Sequence, residues 1–234
     1  MNPPSNKAVV ALFVRAPVPG RVKTRLAGGL GADGACCLYQ AMVADMLRNI
    51  REGAFPLYLF HDGREASALP AAWIAGAAKV IAQQGQGLGE RMAAAFEQCF
   101  AEKIQQVMLV GSDIPGLDAA RITAASAALA SHDGVITPVI DGGYCLIALQ
   151  RERYRRRIFE EIPWSTEQVL RITLQRFAEC GLSVHLQSAL HDIDTLSDVQ
   201  RYCQEPCDRA LATNRVISSL LRRENLRCRH SERM

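Results

Sequence analysis

The chain has 234 residues, 49% of them apolar and 22% charged, which suits one large domain with a substantial core and excludes a wholly disordered chain. Its net charge of +3 is uneven: residues 201–234 carry eight Arg against four acids, and the rest carries 19 Lys and Arg against 20 acids. A neutral body lacks the broad basic face that nucleic acid demands, so no nucleic-acid partner is expected.

In chain order, Ala8–Val14 is a continuous apolar run with β-branched residues, the pattern of a buried parallel strand. A loop with two prolines and Gly20 follows, and apolar positions then recur at helical spacing through Ala32–Arg51. Short strands are predicted at Leu57–Phe60 and Lys79–Ala82, and a helix at Glu90–Glu102. Gln106–Val110 is a further buried strand, and Asp118 is placed to cap a helix running to Ser131. Gly134–Ile140 and Tyr144–Leu149 flank Asp-Gly-Gly, which predicts a hairpin-like bend with at least one antiparallel strand. A helix over Ser165–Cys180, a strand over Ser183–Gln187 and a short helix over Leu196–Gln204 complete the body. Alternating strands and helices predict an α/β sandwich, three layers deep, around a mostly parallel sheet. The division expected is one large domain over 1–203 and a basic helix or tail over 204–234, whose charged end from Arg222 frays.

Eight cysteines show no paired spacing, and several sit in apolar runs, so reduced thiols are expected rather than a disulfide framework. The polar start has no signal-peptide core, and no apolar stretch reaches the ~20 residues of a membrane span. The expectation is a cytoplasmic protein with no membrane span.

Ligands of open α/β sheets bind beyond the carboxyl ends of the strands, and the polar clusters of this sequence fall at such ends. Arg15, Arg21, Lys23 and Arg25 crowd the first loop, where guanidinium forks and an ammonium match phosphate oxygens. A solvated basic loop is the competing explanation. Neither a Walker A sequence nor GxGxxG occurs. Asp113, within Gly111-Ser-Asp-Ile-Pro115, follows a buried strand, where a carboxylate needs a partner; Mg²⁺ beside phosphates is one, and a plain turn cap is the other reading. Asp141-Gly-Gly-Tyr144 combines an acid with glycines that allow close approach, although turn chemistry alone explains it. Asp192 and Asp194 alternate on one side of an extended segment, so one can hold metal while the other caps the next helix. Gly85, Gly87 and Gly89 precede a helix with Arg91, a place to read a base or ribose, or simply a flexible connector. Trp164, next to a helix start, is a candidate wall of an acceptor pocket.

The motifs PVPGRVKTRL, QGLGERM, GSDIP, DGGYCLIAL, WST and DIDTLSDV, in this order over about residues 7–200, resemble the bacterial family of radical-SAM/selenodomain-associated transferases. That family was long known only as a domain of unknown function, and some members carry the label arsenosugar-biosynthesis glycosyltransferase. It is similar in turn to the nucleotide-diphospho-sugar transferase (GT-A) fold, which also holds 2-phospho-lactate guanylyltransferase and the molybdenum-cofactor nucleotidyltransferases. The resemblance implies that Lys23 and Arg25 contact nucleotide phosphates, with Arg15 and Gly20 in the same loop. It implies a metal, Mg²⁺ or Mn²⁺, on Asp113 and one of Asp192 and Asp194, with Asp194 favoured. Gly87, Gly89 and Arg91 would lie by the nucleoside, and Asp141, Gly142, Gly143 and Tyr144 would face the acceptor. The glycosyltransferase Asp-x-Asp is absent, since Ile-Pro follows Asp113, and so is the glycine-rich first loop of the best-known nucleotidyltransferases.

The expected activity is metal-dependent transfer from a nucleotide-activated donor to a small acceptor. Glycosyl transfer ranks just ahead of nucleotidyl transfer with release of pyrophosphate, and Asp141 is the candidate base. A non-catalytic nucleotide-binding protein is the alternative from another class. The partners expected are a nucleotide or nucleotide sugar and a small-molecule acceptor, with a homodimer allowed.

Overall fold

The computed structural model describes residues 8–231. The strands are β1 (Ala8–Val14), β2 (Leu57–His61), β3 (Lys79–Ala82), β4 (Gln106–Val110), β5 (Gly134–Pro138), β6 (Tyr144–Gln150) and β7 (Val184–Leu186). They form one sheet in the order β3-β2-β1-β4-β6-β5-β7. Only β6 runs antiparallel to its neighbours, β4 and β5. β1 pairs in parallel with both β2 and β4, so the carboxyl ends of all three reach the same edge of the sheet. The reversal at β6 brings the Asp141–Gly143 turn to that edge as well. This single antiparallel strand is what carries the sixth strand's amino end, rather than its carboxyl end, to the ligand side.

Seven helices surround the sheet: α1 (Thr24–Glu52), α2 (Ala71–Ala75), α3 (Leu88–Ala101), α4 (Ala119–Ala128), α5 (Val169–Glu179), α6 (Leu196–Gln204) and α7 (Leu211–Ser231). Asp118 caps α4 as predicted, accepting from the Arg121 N–H at 2.9 Å. Two helix starts differ from the sequence reading. α1 begins at Thr24 and breaks at Gly31 (φ 72°, ψ 162°), so the end of the stretch read as loop, from Thr24 on, is helical. α5 begins at Val169 rather than Ser165, because Ser165 holds a left-handed backbone (φ 66°) that no helix accommodates. The short α2 was not anticipated; its five residues are too few to show a period.

The core has two parts, one on each face of the sheet. Leu38, Met42 and Met46 of α1 pack with Leu12 and Leu59 on one face. Phe96 of α3, Phe159 and Phe177 of α5 fill the other. Burial on both faces explains why the central strands read as unbroken apolar runs rather than alternating ones. No helix among the described residues is long and apolar enough to cross a membrane. The seven cysteines whose side chains are described are free thiols. Residues 1–7 and 232–234 lie outside the described part, as do the side chains from 223 onward, so the fraying expected from Arg222 is not addressed there.

α7 is docked on α1 through Ile217, which is 4% exposed, and through a buried acid. Asp45, only 1% exposed, accepts from the Ala212 and Thr213 N–H groups at 3.0 and 2.8 Å and from the Thr213 hydroxyl at 2.8 Å. Arg48 pairs with it at 2.9 Å. A carboxylate at a helix amino end satisfies orphan donors and opposes the helix dipole. Asp45→Ala is therefore expected to lower the unfolding free energy by about 2–3 kcal/mol, read from urea unfolding. The Asp45→Asn variant should retain part of that loss.

Candidate active site

A cleft of 740 Å³ opens at the sheet edge where β1, β2 and β4 end. Its walls include Arg15, Lys23, Arg25, Arg91, Asp113, Asp141, Gly143, Tyr144, Trp164 and Asp194. Gly20, Gly87, Gly89 and Gly142, also picked out in the sequence, are not among the lining residues.

The centre of the cleft is an ionic cluster assembled from three distant segments. Lys23 Nζ donates to Asp113 Oδ2 at 2.8 Å and to Asp194 Oδ1 at 3.3 Å. Arg25 Nη1 reaches the other oxygen of Asp194 at 3.1 Å. The Lys23 side chain is 5% exposed, whereas Arg25 is 75% exposed. Burial alone pushes the Lys23 ammonium's pKa down, but the charges and hydrogen bonds of Asp113 and then Asp194 outweigh it and hold it above the usual lysine value. Lys23 also occupies the left-handed region (φ 47°, ψ 47°) at the start of α1. Such a backbone is uncommon for a non-glycine residue and aims the side chain inward from the loop.

The neighbouring chain segments place both acids. Asp113 follows β4 directly, and its carbonyl accepts from the Ile193 N–H at 3.3 Å, which lays the 190–194 segment beside it. α6 is capped by Thr195 and Asp198 in a reciprocal capping box, and the Asp194 N–H also donates to Asp198. Neither Asp192 nor Asp194 is used as a cap, so both carboxylates are released toward the cleft. Asp194 meets the cations. Asp192 lies in the same wall, its pKa raised first by burial and then by the charges of Asp141 and Asp113.

The glycines act mostly on the backbone. Gly20 (φ 76°) makes the turn in the first loop, with open space around it. Gly87 stands at the amino end of α3, and a side chain there would meet nothing. A Cβ on Gly89 would come within 2.6 Å of Trp164 Nε1, so this glycine lets Trp164 pack against α3. Gly87, Gly89 and Trp164 together line a second, smaller hollow of 300 Å³ behind the cleft wall. Gly142 (φ 90°) abuts the 164–168 strap: a Cβ would fall 2.2 Å from the Glu167 carbonyl oxygen. The Leu170 N–H donates to the Gly142 carbonyl at 2.9 Å. Gly142→Ala must therefore displace the strap. It is expected to leave the fold intact by circular dichroism while lowering acceptor-dependent turnover about tenfold or more, a misplacement effect.

Asp141 accepts from the Gly143 N–H at 2.9 Å through Oδ1, so turn chemistry and cleft lining coexist in one residue. The Tyr144 ring stands edge-on to Trp164, with centroids 6.2 Å apart. Its hydroxyl is buried beside that of Thr173, the two falling short of hydrogen-bond geometry, and burial pushes that phenol's pKa well up despite this neighbour. Tyr144 thus meets the cleft as an apolar wall rather than as a donor. Arg91 is drawn toward Gly85, whose carbonyl accepts from its Nε at 3.1 Å.

Some lining residues escaped the sequence reading. Tyr39 of α1 accepts from the Arg15 N–H at 2.9 Å and from the Ser112 hydroxyl at 3.4 Å, tying the first loop to the segment after β4. In sequence it is one apolar position of a helix among many. Asp62 and Gln83 follow β2 and β3, and only their position after short strands could have flagged them. Glu167 lies before α5, which starts at Val169, and lines the cleft from the strap.

No group of three or more His, Cys, Asp or Glu among the described residues is arranged to hold a metal ion by itself. Asp113 and Asp194 nevertheless converge on one cation, the Lys23 ammonium. Two such oxygens suit Mg²⁺ or Mn²⁺ completed by ligand phosphates, the usual manner of binding at phosphate sites.

The sheet order, the lone antiparallel β6 and the cleft at the strand ends make this a nucleotide-diphospho-sugar transferase (GT-A) fold. Residues 46–166, just over half of the chain, match the family described as uncharacterized protein conserved in bacteria (DUF2064), and the chain belongs to that family. A candidate nucleotide-diphospho-sugar transferase from Desulfovibrio desulfuricans G20 is 30% identical, with TM-score 0.83 over 93% of this chain and 97% of that one. The likeness extends, in fold alone, to glucosyl-3-phosphoglycerate synthase of Mycobacterium tuberculosis (13% identity, TM-score 0.54, 94% and 80% of the two chains). It extends likewise to 4-diphosphocytidyl-2C-methyl-D-erythritol synthase of Anaerococcus prevotii DSM 20548 (10%, 0.54, 85% and 100%). No curated protein matches the chain significantly.

Proposed function

We propose that this protein is a metal-dependent transferase that binds a nucleotide-activated donor, with glycosyl transfer from a nucleotide-diphospho-sugar to a small acceptor ranked first. The observation that carries this reading is the single contact set in which Lys23 Nζ meets Asp113 at 2.8 Å and Asp194 at 3.3 Å, with Arg25 on Asp194. The Desulfovibrio relative, which carries a nucleotide-diphospho-sugar transferase name, supports the same reading. The glucosyl-3-phosphoglycerate synthase structure holds Mn²⁺ and uridine diphosphate on this fold.

Asp113 and Asp194 are the residues that would hold Mg²⁺ or Mn²⁺. The metal's contribution there is to neutralise charge on the donor's diphosphate. Lys23, already desolvated, is positioned to donate to a phosphate oxygen once the acids have another cation to face. Arg25 supplies a guanidinium fork from the solvent side, suited to an oxygen that gains charge as the leaving group departs. Tyr39 holds the backbone of the first loop, and so keeps these cations in register with Asp113. Asp141 has one carboxylate oxygen engaged in its turn and the other available to take a proton from an acceptor hydroxyl.

A nucleotidyltransferase reading has its own support: four cations, Arg15, Lys23, Arg25 and Arg91, line the cleft and suit a full triphosphate. Function in arsenosugar biosynthesis beside radical-SAM enzymes enters this proposal through the sequence resemblance, and a cytoplasmic setting through the unpaired cysteines and the polar start. Thermal shift with UDP- and GDP-sugars and with NTPs, each with and without Mg²⁺ or Mn²⁺, tests it. Stabilisation by nucleotide sugars in the presence of metal is the expected result. Stabilisation by NTPs alone would move the assignment to nucleotidyl transfer, and no metal-dependent response to any nucleotide would remove the proposal.

A further inference from the structure

The cleft's acids are unevenly paired. Its four cations come from the first loop, the first turn of α1 and α3, and Lys23 and Arg25 are engaged with Asp113 and Asp194. The β5–β6 turn, the strap and the 190–194 segment form a further wall, which meets the cations through Asp194 and also presents Asp141, Glu167 and Asp192. None of these three acids has a Lys, Arg or His within ion-pair distance among the described residues, unlike Asp62, Asp113 and Asp194 in the same cleft. None of these three segments adds a Lys, Arg or His to the lining, and the cation whose charge reaches Asp192 is Lys23. The wall adds instead the Trp164 ring and the side chains of Ser165 and Thr166, all three flanking the cavity.

Unpaired carboxylates repel a phosphate or carboxylate and accept hydrogen bonds from hydroxyls. An indole face beside them offers an apolar platform for the C–H face of a sugar ring. We propose that the acceptor is a polyhydroxylated, uncharged compound of the sugar or glycoside class, seated between Trp164 and the acids Asp141, Glu167 and Asp192. This rests on the donor reading above and sharpens it, because a phosphorylated acceptor, the kind considered above for nucleotidyl transfer, would meet three acids there that have no ion-pair partner. In the reaction an acceptor oxygen forms a bond to the donor's anomeric carbon. The bond from that carbon to the phosphate oxygen breaks, its electron pair leaves with the nucleoside diphosphate, and the hydroxyl proton passes to Asp141.

The test uses the full chain with Mn²⁺ and a stabilising nucleoside diphosphate, and compares glucose with glucose 6-phosphate and glycerol with glycerol 3-phosphate. Saturation-transfer NMR reads binding, and release of nucleoside diphosphate from the matching nucleotide sugar reads turnover. The uncharged member of each pair is expected to bind about tenfold or more tightly than its anionic partner, the size of effect that one unscreened like charge produces near a surface. Glu167→Lys should narrow or invert that preference, an outcome that a purely structural role for Glu167 would not produce. Preference for the phosphorylated members, or no response to any member, overturns the proposal. Thermal shift by nucleoside diphosphate and Mn²⁺ separates the layers. If that shift is present while anionic acceptors win, the acceptor assignment falls and the donor reading stands. If the shift is absent, the donor reading falls and the acceptor assignment falls with it.

Discussion

Asp113→Ala is expected to abolish the metal-dependent stabilisation by nucleotide and to lower turnover by on the order of 10³, since a metal's charge at a diphosphate contributes several kcal/mol. The argument rests on position. Asp113 is the first carboxylate beyond β4, adjacent in the sheet to β1, and it faces Lys23 Nζ at 2.8 Å. Removing it leaves Lys23 with Asp194 alone, at 3.3 Å, and leaves any divalent ion with one protein carboxylate in place of two. Asp113→Asn keeps the shape and one hydrogen-bond acceptor for Lys23 but removes the charge. It should therefore fold like the parent and still lose the metal response. A metal-dependent shift that survives in both variants would reject Asp113 as a ligand.

Lys23→Met is expected to act in two directions at once. Nucleotide affinity and turnover should drop by about 10²–10³, the usual loss when a preorganised donor to phosphate charge is removed. The affinity for Mn²⁺ without nucleotide should instead rise, because the ammonium no longer competes for the oxygens of Asp113 and Asp194. Titration of Mn²⁺ followed by electron paramagnetic resonance, on wild type and variant, measures that second effect directly. The metal-free variant should also be less stable by about 1–3 kcal/mol. Taking one partner from a buried ion pair is costly, but both acids remain more than a third exposed and water screens them. An unchanged Mn²⁺ affinity would show that Lys23 and metal do not share these oxygens.

Much of the architecture was legible in the sequence because burial on both faces of a sheet leaves an obvious mark. AVVALFV has no polar residue to place and QVMLV only Gln106 at its start, and each became a central strand with the bounds expected. The helix starts were less legible. Gly31 breaks α1 and Ser165 delays α5 through backbone angles, which apolar periodicity does not record. Some of the glycines chosen for their closeness to a ligand turned out to approach protein instead. Gly89 makes room for Trp164, and Gly142 for Glu167. Glycine signals that something comes near, and only the packed structure says what.

By itself the sequence determined the order of elements, the first loop's cations and the acids at the strand ends, since each depends on residue type and local pattern. The tertiary structure alone decided which of these charges meet. Lys23 is 90 residues from Asp113 and 171 from Asp194, and no spacing rule links them. The capping box of Thr195 and Asp198 likewise decided that neither Asp192 nor Asp194 would serve as a helix cap. The pairing of Asp113 with the 190–194 segment then put Asp194 in the cluster and left Asp192 in the cleft wall without a direct ion pair. These outcomes depend on which strand ends share an edge, a property of sheet order that long-range burial sets and local sequence does not contain.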